Sequence, residues 1–228
     1  MIWNYRFVSY YHYKTPPLHI KTLFIIIVRN YNQEMNKVIL LDNGHGDNTP
    51  GKRSPDWSLL EWKYTRQIVK KIYKKLIGFG YDARILVPED HDVDLWTRCK
   101  RVNAIVEEYG RENVLLVSVH INAGPCEGWH KASGWQVHTC LNPSKESINM
   151  ANVFFEEVQR LNYKTRRPSC DQNYWKSDFC ILRKTNCPAI LTENFFMTNE
   201  KDVEFLLSDV GRNAITEIHV NSIMKLIK

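Results

Sequence analysis

Val38-Ile-Leu-Leu-Asp-Asn-Gly-His-Gly46 is the stretch on which the fold turns. Four consecutive apolar residues without polar alternation are what a strand buried on both faces looks like. The polar, glycine-rich Asp42-Asn-Gly-His-Gly46 cannot continue that strand and reads as its exit. Downstream, residues 60–77 place apolar side chains at Leu60, Tyr64, Ile68, Ile72 and Leu76. These i, i+4 steps predict an amphipathic helix, ended by Gly78 and Gly80. The same alternation continues along the chain. It predicts strands at 83–87, 114–120, 135–140 and 188–192, and helices at 95–109, 145–161 and 210–227. Strand and helix in turn mean a single three-layer α/β domain, with a twisted, mostly parallel sheet flanked by helices.

Upstream of that strand the character changes. Residues 1–34 hold Arg6, Lys14, Lys21 and Arg29 against Glu34, half of the net charge of +6, and show no useful periodicity. They are expected to be a leader outside the domain, either disordered or the product of a misassigned start, with Met35 as the natural first residue of a catalytic domain at 35–228. The longest apolar run, residues 23–28, is far shorter than the ~20 residues needed to span a bilayer. No secretory signal is recognisable in it either. The remaining charge is mildly basic, without the basic-aromatic stripes of a nucleic-acid binder, so nucleic acid is not an expected partner. The six cysteines form no C-x-x-C pair, and free thiols are expected rather than a zinc ribbon or disulfide framework.

In parallel sheets, sites gather at the carboxyl ends of strands. Three predicted strand ends carry unusual polar residues: Asp42 to Gly46, Ser118-Val-His-Ile-Asn-Ala123, and Glu193-Asn-Phe-Phe-Met-Thr-Asn199. Glu61 opens the first helix nearby. His45, Glu61 and His120 together are two histidines and a carboxylate, the donor set of a catalytic zinc with an open fourth position. Glu193 would then be free to handle protons. Each residue taken singly has a plainer role: a loop histidine, a first-turn acid favoured by the helix dipole, a core histidine, a solvated strand exit. Convergence on one sheet edge favours the metal set.

On these residues the chain resembles the zinc-dependent N-acetylmuramoyl-L-alanine amidases called amidase 3, peptidoglycan hydrolases, from about Lys37 to Lys228. The family's D-P-G-H-G reads Asp42 to Gly46. An acid, a leucine and an R-x-x-x-A-N stretch read Asp92 to Asn103, with Leu95, Arg98 and Asn103 in step. S-x-H-x-N-A is intact at Ser118 to Ala123, and E-x-G-F-x-x-N reads Glu193 to Asn199. The resemblance implies zinc ligands His45, Glu61 and His120, one ion per chain, and Glu193 as the catalytic glutamate. It also implies peptidoglycan as substrate, cut at the amide joining N-acetylmuramic acid to L-alanine. Two departures stand out: Asn43 replaces proline, and Asn194 with Phe195 replaces a small residue and glycine, so the backbone after Glu193 is expected to differ.

Further contacts are expected from Asp42, as the partner of a ligand histidine or as a turn residue, and from Asn122 and Arg98. The polar loops at 124–135 and 164–178 offer Trp129, Arg166, Arg167 and Trp175 for a substrate groove. His91, His130 and His138 are assigned surface or packing roles. A zinc peptidase acting on the stem peptide, or a non-catalytic wall-binding module, is the alternative. The first would usually carry a tight H-E-x-x-H pair, which is missing here, and the second would not need Glu193. The chain is expected to act as a monomer in the periplasm or cell wall, as a phage lysin delivered by a separate protein or as a host remodelling enzyme.

Overall fold

The computed structural model describes residues 37–125 and 128–227. The expected leader at 1–34 and the start at Met35 lie outside them. Six strands form one sheet in the order β2-β1-β3-β6-β4-β5: β1 Val38–Asn43, β2 Ala83–Ile85, β3 Val114–Asn122, β4 Gln136–Thr139, β5 Trp175–Lys176 and β6 Ala189–Phe196. Every pairing is parallel except β4 with β6, so the sheet is mostly parallel as predicted.

The apolar run that opens β1 serves both faces. Ile39 and Leu41 join one core cluster and Val38 and Leu40 the other, all fully buried. The first cluster is covered by α1 (Glu61–Gly78), α3 (Lys145–Arg160) and α6 (Asp209–Ile227), with α6 packed against both others. Helix α1 buries Tyr64, Ile68, Ile72 and Leu76 of the predicted stripe, with Val69 beside them, while Leu60 stands at its N-cap. The second cluster lies beneath α2 (Leu95–Tyr109) and a single turn, α4 (Cys180–Arg183), through Cys99, Val102, Ile181 and Leu182. The cysteines at 99, 140, 170, 180 and 187 are free.

The differences from expectation bear on the site. β3 runs to Asn122 and β6 to Phe196, so both polar motifs sit inside the ends of strands rather than after them. A two-turn helix, α5 (Glu200–Leu207), follows at once, and Asn199 caps it by accepting from the Asp202 amide at 3.0 Å. β5, α4 and α5 carry too few residues for a periodic signal. The strand order puts β1, β3 and β6 side by side, and their carboxyl ends bear the three polar motifs.

Candidate metal centre and active site

The first motif is shaped by close approach. A Cβ on Gly44 would lie 2.4 Å from the His120 ring, and one on Gly46 would lie 1.9 Å from the Asp92 backbone nitrogen. Only glycine fits at either place. Between them His45 takes the left-handed conformation, φ 61°, which costs a non-glycine residue about 1 kcal/mol or more unless the surroundings impose it. Arg98 imposes it. This buried side chain donates to the carbonyls of Asn43 (2.6 Å) and His45 (3.3 Å), to Asp42 (2.8 Å), to Asp92 (2.9 Å) and to the Val93 carbonyl (2.7 Å). Ser118 donates to the other oxygen of Asp42 at 2.5 Å. This corrects one expectation, since Asp42 pairs with Arg98 and Ser118 rather than with a histidine; Arg98, 2% exposed, clamps the loop that carries His45.

His45, Glu61 and His120 come together from the β1 exit, the start of α1 and the end of β3, their donor atoms all within 4.8 Å of one another. Glu61 Oε1 accepts from the Ile121 amide at 3.0 Å and lies 3.1 Å from His120 Nδ1. Oε2 accepts no hydrogen bond and stands 3.4 Å from His45 Nε2. The two imidazoles meet edge-on, centroids 5.1 Å apart. Burial by itself would raise the Glu61 carboxyl, but the hydrogen bond and charge of His120 and the charge of His45 hold it below the ordinary carboxylate range. Burial pulls His120 down, and Glu61 more than reverses that, raising it. Desolvation dominates at His45, down to about 4, so its imidazole is neutral at pH 7 and its lone pair available.

Glu193 faces His120 across the β3–β6 ladder. Its Oε2 is buried with no hydrogen-bond partner, and burial, reinforced by Glu61, pushes its carboxyl up to about 8 against the opposing charges of His120 and Lys52. The next two residues explain how the family departure is absorbed. Phe195 takes a left-handed backbone, φ 66°, at the position where the family pattern has glycine, and its buried ring packs edge-on against Phe205 at 5.2 Å. Asn194 accepts from Trp135 Nε1 (2.8 Å) and donates to the His120 carbonyl (2.9 Å), so it ties a core tryptophan to the ligand strand. Asn122 donates to Gln136, the β4 residue paired with Glu193, and its own oxygen accepts from the Ala123 amide at 2.8 Å.

Arg166 lies over the Phe196 ring at 5.0 Å, Arg167 donates to the Cys170 carbonyl at 3.0 Å, and Trp175 stacks on His138 at 6.4 Å. Asn194 and Gln136 escaped the sequence reading because their partners lie on other strands. Asn194 had a signal of its own, as a polar residue where the pattern expects a small one.

Residues 39–225 match the profile of amidase 3, N-acetylmuramoyl-L-alanine amidase. The chain belongs to this family. It is accordingly an N-acetylmuramoyl-L-alanine amidase, a hydrolase of cell-wall peptidoglycan. An endolysin of Bacillus phage SPP1 is 27% identical over 201 residues, covering 85% of this chain and 67% of the relative. The amidase CwlM of Bacillus licheniformis is 24% identical over 190 residues, 82% of this chain and 67% of its own. Among solved structures, the N-acetylmuramoyl-L-alanine amidase of Clostridium difficile 630 shares the amidase fold with a TM-score of 0.71 at 23% identity, covering 84% of this chain and 96% of that one. Among the described residues no helix is long and apolar enough to cross a membrane.

Proposed function

We propose that His45, Glu61 and His120 hold one zinc ion and that Glu193 moves the protons of amide hydrolysis. The observation that carries this reading is the Glu61 carboxylate, buried with Oε2 unpartnered between two imidazoles. Two imidazole nitrogens and one carboxylate oxygen suit zinc and leave a coordination position open. When bound, the ion supplies Lewis acidity to the scissile carbonyl and to the attacking water. Glu193 accepts the water proton and returns it to the departing L-alanine nitrogen, which a carboxylate facing the ligand strand is positioned to do. Arg98 and Asn194 hold the His45 and His120 backbones in place, so the imidazoles need no reorganisation when metal arrives.

The setting we infer is that of a lysin, acting as a monomer and delivered to the wall by a separate membrane-permeabilising protein; the endolysin relative supports it. Digestion of purified sacculi, with and without chelator, tests the reaction. A chelator-sensitive release of stem peptides with a free L-alanine amine, leaving the muramoyl lactyl carboxylate, is the expected result. A new amine elsewhere in the peptide would make the protein a peptidase, and no product from zinc-loaded protein would make it a binding module.

A further inference from the structure

The loop between β1 and α1 holds a feature that stability does not explain. Its base is rigid: the Glu61 amide donates to the Lys52 carbonyl at 3.0 Å, and Arg53 bridges to Leu60. Inside the turn, buried Ser54 donates to Asp56 at 2.6 Å and accepts from the Leu59 amide at 2.9 Å. At its tip Trp57 adopts φ 63°, a conformation costly for a bulky side chain, yet it is 64% exposed and gains little from burial. What the tip does is hold Arg53, whose guanidinium carbon sits 3.5 Å from the Trp57 ring centroid. Among the described residues that guanidinium makes no other ion pair or hydrogen bond.

A groove of about 700 Å³ opens beside this pair. Arg53 and Trp57 form one wall, and the far wall comes from Gly124, Pro125, Met197 and Thr198, which follow the His120 and Glu193 motifs. The groove is therefore walled by the segments that lead into Glu61 and out of the His120 and Glu193 motifs. The Lys52 charge is felt at both His45 and Glu193. No acidic residue lines the groove among the described residues.

We propose that Arg53, steadied on Trp57, is a specificity residue that binds a carboxylate of the stem peptide as the peptide leaves the metal centre along this groove. The inference rests on the amidase reading. A guanidinium already stacked on a ring keeps its N–H edges for a planar anion, and a carboxylate accepts two of them side by side. A neutral sugar would leave that charge unused.

The test uses two synthetic muramoyl peptides that differ only in carrying a free carboxylate or its primary amide on the second stem residue. Arg53→Gln should raise KM for the acid form by about tenfold to a hundredfold, the worth of hydrogen bonds to a charged group. It should leave kcat, and both constants for the amide form, nearly unchanged. Trp57→Gly should raise the melting temperature, since glycine accepts the backbone conformation, while KM for the acid form rises. Calorimetric titration of zinc-loaded Glu193→Gln protein with the acid form, compared with the same protein also carrying Arg53→Gln, reads binding without turnover. If the wild type cleaves neither peptide, the amidase reading fails while this titration still decides the role of Arg53. Equal losses on acid and amide forms, no loss on either, or unchanged calorimetric affinity would overturn the proposal.

Discussion

Two glutamates with buried carboxyl oxygens behave in opposite ways. Glu157, on α3, is fully buried, and its oxygens are filled: Arg160 donates at 2.7 and 2.9 Å, Lys225 at 2.7 Å and Asn221 at 2.9 Å. The Arg160 hydrogen bonds, working with those of Lys225 and Asn221 against burial, hold its carboxyl down to about 2. Glu193 is left with an unpartnered oxygen, and burial pushes it up to about 8. A buried carboxylate that ties helix to helix is given all its donors; one kept for chemistry is left wanting them.

The largest expected effect separates the two by turnover. Glu193→Gln should lower kcat on sacculi by roughly 10²–10⁴-fold, the usual contribution of general acid–base catalysis. Glu157→Gln should leave kcat within about twofold; a comparable fall in both variants would erase the distinction. Stability should reverse the order. Removing the charge of Glu157 strands its cationic partners and should cost about 2 kcal/mol in denaturant unfolding, a value discounted for the roughly half-exposed Arg160 and Lys225. Glu193→Gln removes a carboxyl whose Oε2 has no hydrogen-bond partner and should cost nothing. The smallest effect lies in pH. Because folding depresses the Glu157 carboxyl, its contribution is present above its ordinary value of 4.5 and fades as pH falls towards about 2. The stability gap between wild type and Glu157→Gln should therefore be constant above pH 4.5 and narrow below it. A gap that instead widens on acidification would mean that Glu157 is not the stabilised anion.

The same contrast explains what was legible in the sequence. β1, α1 and the three polar motifs could be read because each is local: an apolar run, an i, i+4 stripe, a glycine beside a histidine. The partners of Asp42 could not be read, because Arg98 reaches it from a helix 56 residues on. Asn194 and Gln136 depend on β4 lying antiparallel to β6, a non-local pairing that no residue pattern announces. Phe195 shows the converse case. At the place of the family's glycine it takes a left-handed φ, with the ring's burial offsetting the strain. Arg53 and Trp57 were invisible as a pair, since stacking across a four-residue turn is a matter of φ and not of composition.

The central claim is that Glu61 holds the metal while Glu193 moves protons. The most direct test is the zinc content of Glu61→Gln and Glu193→Gln proteins after identical dialysis, each paired with its turnover on sacculi. A neutral amide is a poorer ligand than a carboxylate, so Glu61→Gln should lose most of its zinc and its turnover with it. Glu193→Gln should keep about one zinc per chain and still be nearly inactive. Zinc lost from Glu193→Gln and retained in Glu61→Gln would contradict the assignment.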